Sequence, residues 1–333
     1  MRVSGITPTR DRPRSLALGK IPISILNATV LRMVGANSDR VVTPAEAGVD
    51  FAAIRIGLGY IVVSSDPVTG VSDEIGRYAV TVSANDVATC GHPAQFAESV
   101  ILLPEGSRPN DVARVARQVH QAAKDAGIAI VGGHTEVTPG LRRPIVMVTA
   151  FGFVEDYVSS RDAASGDTIM MTKTAGLEGT AVLTGSRRLL DDLSVIPEAT
   201  LAYGTGRVHA MHDCTEGGVL GAVFEMALAA GLGFELNSAS VPVADATKDV
   251  CRRKGIDPLK LISSGALLLS VEAGKEEEVA KAVSPVRITT IGRFTSSGRF
   301  LIGRSGRKNV VRSAPEDELW RALGRSSGGR DRL

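Results

Sequence analysis

The first half of the chain alternates short apolar runs with stretches in which apolar residues recur every three or four positions. The runs at 49–56 and 60–66 predict two strands, joined as a hairpin by Gly57-Leu58-Gly59. Helical spacing predicts a helix over 75–88 and a more amphipathic one over 110–126, with Asn110 as its N-cap. The remaining predicted elements are a helix at 16–37 and strands at 96–103, 128–131 and 144–154. This order predicts an α/β unit with a mixed sheet.

The second half repeats this pattern after a polar segment at 159–166, which predicts a domain boundary. A strand starts at Asp167, and a short strand ends at His212-Asp213 before a helix that runs to Ala230. Other strands are predicted at 232–237, 264–272 and 286–293, and helices at 177–189, 198–207, 245–254, 275–282 and 315–323. We expect four parts, namely an N-terminal arm and helix (1–38) whose first 15 residues are loosely ordered, a first domain (39–157), a second domain (158–324) and a disordered tail (325–333).

Composition narrows the classes of function. The 333 residues include 38 basic and 36 acidic ones, for a net charge of +2, and only 4% are aromatic, so we expect no nucleic-acid partner. No apolar stretch reaches the ~18 residues that a membrane-spanning helix needs, so we expect no membrane partner either. Three scattered cysteines are typical of a reducing compartment and indicate neither a disulfide framework nor a zinc site. The expectation is a cytoplasmic globular protein.

Four aspartates stand at the ends of predicted elements. An antiparallel hairpin would bring Asp50, at the start of its first strand, beside Asp66, at the end of its second. Asp86 continues the apolar face of the 75–88 helix, where an acid is costly to bury without a partner or a cation. The alternative for Asp86 is an exposed helix end. Asp213 directly precedes a helix N-terminus, a place that favours anions, and ordinary capping is its alternative.

A pair of glycines interrupts the apolar run at 128–131. Gly132 and Gly133 would let a ligand approach the backbone at the strand end, and His134 and Thr135 follow at once. A plain glycine-rich turn is the alternative. Lys20, near the start of the chain, is either a solvated surface group or a phosphate ligand.

The sequence lacks several common motifs of nucleotide binding and covalent catalysis. It contains no P-loop, no Gly-x-Gly-x-x-Gly after a strand, no nucleophile elbow and no paired redox cysteines. His209 and His212 would lie on opposite faces of their strand, which argues against a metal ion held by both. Carboxylates spread over several element ends suit a hard cation bound together with a phosphorylated ligand. Magnesium-dependent chemistry of a nucleoside triphosphate is therefore the leading interpretation.

Six short segments, in order between about residues 20 and 320, resemble the aminoimidazole ribonucleotide synthetase (PurM-like) superfamily, which includes HypE-like proteins and thiamine-monophosphate kinase. Asn85-Asp86-Val87-Ala88 resembles the family's Asn-Asp-Leu-Ala, and Gly48-Val49-Asp50 stands where the family has Gly-Asp-Asp. The other segments that resemble the family lie at 64–67, 131–136, 212–218 and 264–269, the last followed by Ile291-Gly292.

The resemblance implies a PurM-like two-domain fold of the α/β (α+β) class. In such a fold, the N-terminal domain pairs with its copy in a homodimer to form a β-barrel, and a C-terminal α/β domain packs beside it. The resemblance also implies ATP and Mg²⁺ as cofactors. The implied metal ligands are Asp50, Asp66 and Asp86, with Asp213 as a further candidate. The implied catalytic residues are Asp213 and His134, and the implied cofactor-binding residues are Lys20, Asn85, Gly132, Gly133 and Thr135.

The departures from the family pattern leave the substrate unassigned. HypE carries a C-terminal cysteine that accepts a carbamoyl group, whereas no cysteine follows Cys251 here, and His134 stands where relatives often carry an acid. The leading hypothesis is an ATP-dependent enzyme (ligase or cyclase, dehydratase or kinase) that phosphorylates or activates a small amide, carbonyl or phosphate-bearing substrate. The alternatives are a non-catalytic nucleotide-binding partner in a maturation complex and a purely structural dimer.

Overall fold

The structure, a computed structural model, describes residues 16, 18–69, 73–186, 189 and 192–324. Its helices are α1 Ile23–Ala28, α2 Ile75–Ala88, α3 Pro109–Asp125, α4 Leu177–Thr184, α5 Ile196–Tyr203, α6 Gly218–Ala229, α7 Asp245–Lys254, α8 Glu276–Ala282 and α9 Glu318–Ala322. Its strands are β1 Val41–Thr43, β2 Ala52–Ile56, β3 Gly59–Val68, β4 Phe96–Leu103, β5 Ala129–Val137, β6 Ile145–Val154, β7 Thr168–Thr172, β8 Val208–Asp213, β9 Gly233–Asn237, β10 Leu267–Val271, β11 Ile288–Thr295, β12 Arg299–Ile302 and β13 Lys308–Val310. The expected disordered tail at 325–333 and the loosely ordered first 15 residues lie outside the described residues.

The first sheet is mixed, as its apolar pattern predicts. Its strand order is β1-β2-β3-β6-β4-β5, and only β4 and β5 run parallel. Helices α2 and α3 pack on one face, and the core between them and the sheet includes Val62, Val80, Val119 and Val148. The sheet of a single chain is open, with β1 and β5 at its edges.

The second sheet is also mixed and holds the other half of the chain. Its strand order is β13-β12-β9-β11-β7-β10-β8, in which only β12 and β9 run parallel. Helix α6 is apolar except for Glu225, and all residues from Gly218 to Ala227 are buried, as expected of a helix inside a large core. Strands β1, β12 and β13 have no counterpart among the predicted elements, because they are only three or four residues long.

The predicted helix at 16–37 is wrong in extent. Gly19 has a left-handed φ of +99°, and Pro22, whose ring cannot continue a preceding helix, places the start of α1 at Ile23. The helix ends after six residues, and a 3₁₀ turn at Val30–Arg32 follows. Helix α4 likewise stops before the predicted position 189, because Gly185 adopts the left-handed C-cap conformation with φ +68°.

The predicted N-cap of α3 is displaced by two residues. The helix begins at Pro109 and Arg108 is its N-cap, whereas Asn110 lies inside the first turn. The Asp111 carboxylate accepts a hydrogen bond of 2.9 Å from the backbone N–H of Arg108. Proline at the first helical position fits because its missing N–H would have no partner there.

The described helices give no membrane signal. None of them combines the length and the apolar character that crossing a bilayer requires.

Candidate functional site

The β2–β3 hairpin and helix α2 bring three predicted site residues together. Strand β3 places Ser64 and Asp66 on the face that α2 covers, and the Ser64 hydroxyl donates a hydrogen bond of 2.7 Å to Oδ2 of Asp86. Asp86 is only 6% exposed, so its helix end is buried rather than open to solvent. Burial first, and then the nearby carboxylates of Asp213 and Asp66, raise the pKa of Asp86 well above its usual value. The hairpin and α2 thus form one side of an acidic cluster.

Strand β8 and helix α6 supply the facing wall from the second half of the chain. His212 and Asp213 end β8, with exposures of 3% and 1%. Burial and the Asp50 carboxylate raise the pKa of Asp213 to about 7. Its Oδ2 is buried and accepts no hydrogen bond. Asp213 does not cap α6 by a side-chain hydrogen bond, so its capping alternative is not realised.

Gly48 explains how Asp50 reaches this wall. Gly48 has a left-handed φ of +86°, and a Cβ atom there would lie 2.2 Å from the backbone oxygen of Glu225 on α6. Only glycine allows so close an approach of the loop to the helix. The approach brings Oδ1 of Asp50 into an ion pair with Nδ1 of His212, while Oδ2 of Asp50 stays buried without a hydrogen-bond partner.

A row of alternating charges runs from Asp50 to the start of the chain. His212 Nε2 lies 3.3 Å from Oε2 of Glu225, and the same oxygen lies 3.2 Å from Nζ of Lys20. Burial alone would lower the pKa of His212, but the carboxylates of Asp50 and Glu225 outweigh it and raise the pKa to about 10. Burial would likewise raise the pKa of Glu225, but Lys20 and His212 lower it to about 2. Lys20 is the outer end of the row, with its side chain 48% exposed.

The acidic cluster consists of six side chains, those of Asp50, Asp66, Asp86, His212, Asp213 and Glu225, and it fits a divalent cation. Ligand atoms of Asp50, His212 and Asp213 all lie within 4.8 Å of one another. The unpartnered oxygens of Asp50 and Asp213 are buried acceptors, and such groups are costly unless a donor or a cation satisfies them. A hard cation such as Mg²⁺ prefers oxygen ligands. The carboxylates of Asp50 and Asp213 could therefore hold such an ion, and His212 is the ion-pair partner of Asp50.

His209 lies apart from this cluster. Its Nδ1 is 2.9 Å from Oδ2 of Asp167, and its side chain is 41% exposed. His212, three residues later on the same strand, is buried in the cluster. The sequence prediction that the two histidines do not share a metal ion agrees with this arrangement.

Asn85 joins the two halves of the chain. Its amide nitrogen donates to the Leu193 carbonyl at 2.8 Å, and its amide oxygen accepts from the backbone N–H of Val195 at 2.9 Å. Asn85 is completely buried. Both polar atoms of the Asn85 side chain are therefore bonded to backbone groups of the second half. Asn85 lies beside Asp86, but its side chain is not free to bind a ligand.

The glycine pair is not a strand end. Strand β5 continues through it to Val137, because Gly133, with φ +146°, lets β5 pass close to β4. A Cβ at Gly133 would lie 1.9 Å from the Ser99 carbonyl oxygen, and one at Gly132 would lie 3.1 Å from the Glu98 carboxylate. The backbone of the neighbouring strand therefore accounts for Gly133, whereas Gly132 has only the Glu98 side chain beside it.

Strand β5 also lies far from the carboxylates within one chain. Asp66 is aligned across β6 and β4 with Gly133, and three strand spacings correspond to about 14 Å. His134 and Thr135 lie on this exposed edge strand, where Nε2 of His134 is 3.2 Å from Oε2 of Glu136. A single chain therefore does not bring Gly132, Gly133, His134 or Thr135 to the acidic cluster.

Two members of the cluster were not predicted as site residues. The sequence assigns no site role to His212, although His212 directly precedes Asp213. Glu225 is the one charged residue of the apolar helix α6. Glu225 therefore shows the same sequence signal as Asp86, namely an acid on an apolar helical face.

Comparisons with known proteins agree with this architecture. Residues 48–154 match AIR synthase related protein, N-terminal domain, and residues 164–303 match AIR synthase related protein, C-terminal domain. A putative hydrogenase expression/formation protein of Methanocaldococcus jannaschii is 26% identical over 291 residues, 83% of this chain and 86% of that protein. Carbamoyl dehydratase HypE of Escherichia coli is 29% identical over 229 residues, 66% of this chain and 68% of that protein.

Solved structures share the fold. A chain of a HypE–HypF complex gives a TM-score of 0.74 at 22% identity, covering 87% of this chain and 99% of that chain. A hydrogenase maturation protein HypE in complex with ATP gives a TM-score of 0.70 at 21% identity, covering 92% and 98%. These neighbours establish the PurM-like two-domain fold expected from the sequence. The two matched domains together span most of the chain, which therefore belongs to the AIR synthase related proteins.

Proposed function

We propose that this protein is an ATP-using enzyme that works with Mg²⁺ and phosphorylates or activates a small amide, carbonyl or phosphate-bearing substrate. The observation that carries the proposal is the convergence of buried carboxylates from both halves of the chain, two of which keep an unpartnered oxygen. Relatives described as carbamoyl dehydratases and a neighbour described as an ATP complex support ATP as the nucleotide.

The side chains divide into two roles. Asp50 and Asp213 would hold the metal ion, with Asp66 and Asp86 beside them, and the ion would neutralise charge on the phosphates. Lys20 is a half-exposed ammonium next to this cluster, and it suits an anionic phosphate group. Phosphoryl transfer needs mainly positioning and charge neutralisation, and these residues supply both.

The test is metal-dependent nucleotide binding by isothermal titration calorimetry. We expect Asp213→Asn and Asp66→Asn to weaken Mg²⁺-dependent ATP binding by at least tenfold. Asp249→Asn is the matched control, because Asp249 lies on the exposed surface of α7, paired with Arg252. ATP binding that is equal in the parent and both site variants would refute the site assignment.

A non-catalytic nucleotide-binding role is the second candidate. It is favoured by the cysteines, since Cys90, Cys214 and Cys251 are all buried and none presents an accessible thiol for a carbamoyl group. The solved HypE–HypF complex adds a precedent for a protein partner among the neighbours. Stoichiometric ATP binding with no turnover across a panel of small amides and phosphorylated metabolites would favour this role over the enzyme.

We also propose that the protein is a homodimer. The face of the first sheet that lacks helices exposes apolar side chains, including Phe96 (40%), Met147 (36%) and Phe153 (46%). All nine residues of the edge strand β5 are exposed as well, and an unpaired edge invites pairing with another chain. Light scattering should give twice the 34.8 kDa mass of one chain. A Phe153→Lys variant should shift this mass toward the monomer, and a stable monomeric parent would refute the dimer.

A further inference from the structure

The segment 18–20 is tied to the acidic cluster through the side chain of Glu225. Its carboxylate lies 3.2–3.3 Å from the Lys20 ammonium on one side and 3.3 Å from His212 Nε2 on the other. His212 in turn pairs with Oδ1 of Asp50. Because Oδ1 is occupied, the oxygen that Asp50 leaves without a partner is Oδ2.

The segment around Lys20 is docked by more than this ion pair. The Lys20 backbone N–H donates to Oε2 of Glu216 at 2.8 Å, and the Trp320 indole N–H donates to Oε1 of the same carboxylate at 3.3 Å. Gly19 lies directly on the indole, since a Cβ there would be 2.8 Å from Nε1 of Trp320. The arm segment 18–20 thus covers the only tryptophan of the chain.

From this geometry we propose that Glu225 is a positioning residue that couples docking of the arm segment 18–20 to metal binding by Asp50 and Asp213. Glu225 holds His212, His212 fixes the rotamer of Asp50, and the same carboxylate anchors Lys20. A shift of Glu225 would therefore release the arm and disorient a ligand together. Coupling between two sites is reciprocal, so metal binding must also strengthen docking of the arm. This inference rests on the proposed metal site.

Glu225→Asp and Glu225→Gln separate positioning from charge. Aspartate keeps the negative charge but is one methylene shorter, so it cannot reach both Lys20 and His212. Glutamine keeps the length but loses the charge. If Glu225 acted only through its charge, the aspartate variant would bind metal as the parent does, whereas positioning predicts that both variants bind Mg²⁺ at least fivefold more weakly. Glu272→Asp, at an exposed ion pair with Arg207, is the matched control.

Docking of the arm is read from Trp320 by acrylamide quenching of its fluorescence. In the parent, saturating Mg²⁺ should lower the quenching constant, because the arm then covers the indole for more of the time. In Glu225→Asp the constant should be about twofold higher and independent of Mg²⁺. Lys20→Met, at a half-exposed position that does not threaten folding, should show the same rise. Circular dichroism verifies that each variant is folded.

The outcomes distinguish this inference from the proposed function. A parent that binds no Mg²⁺ refutes the metal site itself. A parent that binds Mg²⁺, together with a Glu225→Asp variant of unchanged affinity, overturns the positioning role alone. Parent quenching that does not respond to Mg²⁺, or Lys20→Met quenching equal to that of the parent, overturns the coupling to the arm.

Discussion

Gly48→Ala is the substitution that most directly tests how the two halves of the chain form one site. Gly48 adopts φ +86° and touches the backbone of α6, where a Cβ would lie 2.2 Å from the Glu225 carbonyl oxygen and 2.8 Å from its carbonyl carbon. The contacted atoms belong to the backbone of a buried helix, so they cannot move aside as the end of a flexible side chain could. The loop that carries Asp50 must move instead.

Two costs add at this position. A left-handed conformation costs an alanine about 1–2 kcal/mol relative to glycine. Overpacking a tight contact adds about 1–3 kcal/mol. We therefore expect Gly48→Ala to lower the free energy of unfolding by about 2–5 kcal/mol, a large part of the ~5–15 kcal/mol that stabilises a typical domain.

Gly57→Ala is the matched control for this prediction. Gly57 also has a left-handed φ, +59°, in the β2–β3 turn, but a Cβ there would meet nothing within 4 Å. The control therefore carries only the conformational cost. Urea titration should show the larger loss for Gly48→Ala, and calorimetry should show weaker Mg²⁺ binding for that variant alone. Equal losses of stability, with unchanged Mg²⁺ binding in both, would refute the close approach of the loop to α6.

Two further predictions concern buried polar groups outside the ligand set. Asn85→Ala should lower the free energy of unfolding, measured by urea titration, by about 2–4 kcal/mol, because it leaves the Leu193 carbonyl and the Val195 N–H unpaired. Asn110→Ala, in the exposed first turn of α3, is the control and should change the free energy of unfolding by less than about 1 kcal/mol. Burial raises the pKa of Glu178 from 4.5 to about 7, so the folded state binds this proton more tightly than the unfolded state. The stabilisation of the folded state by this proton is therefore fully present below pH 4.5 and is lost as the pH rises through 7. Glu178→Gln should therefore stabilise the protein at pH 8 by on the order of 1–3 kcal/mol and have little effect below about pH 4. Urea titrations at several pH values measure this gain, and a gain that does not depend on pH would contradict the buried carboxylate.

The order of the larger elements and the proximity of three of the four aspartates could be predicted from the sequence, for a physical reason. Apolar periodicity is local, and it is strong in α2, α3 and the β2–β3 hairpin, so these elements follow from spacing alone. Asp50, Asp66 and Asp86 then converge because the hairpin and α2 share one face. Asp213 ends β8 in the second half, so it joins them only through the packing of the two halves.

The features that the sequence did not reveal depend on contacts between distant segments. The glycines of β5 indicated a strand end, but the reason for Gly133 is the Ser99 carbonyl on another strand. Likewise, Gly48 and Glu225 are 177 positions apart, and their contact follows only from the packing of the two halves. No local sequence pattern indicates that two such distant residues are in contact. The isolated acid in the apolar helix α6, however, indicates from the sequence alone that Glu225 is a candidate site residue.

The side chains of the acidic cluster are divided between the two halves of the chain, and this division limits how the protein can be varied. Asp50, Asp66 and Asp86 belong to the first half, and His212, Asp213 and Glu225 to the second. Either half produced separately would therefore carry only part of the cluster. In a chimera with a relative, the loop at Gly48 and helix α6 should therefore come from the same protein if the chimera is to bind metal.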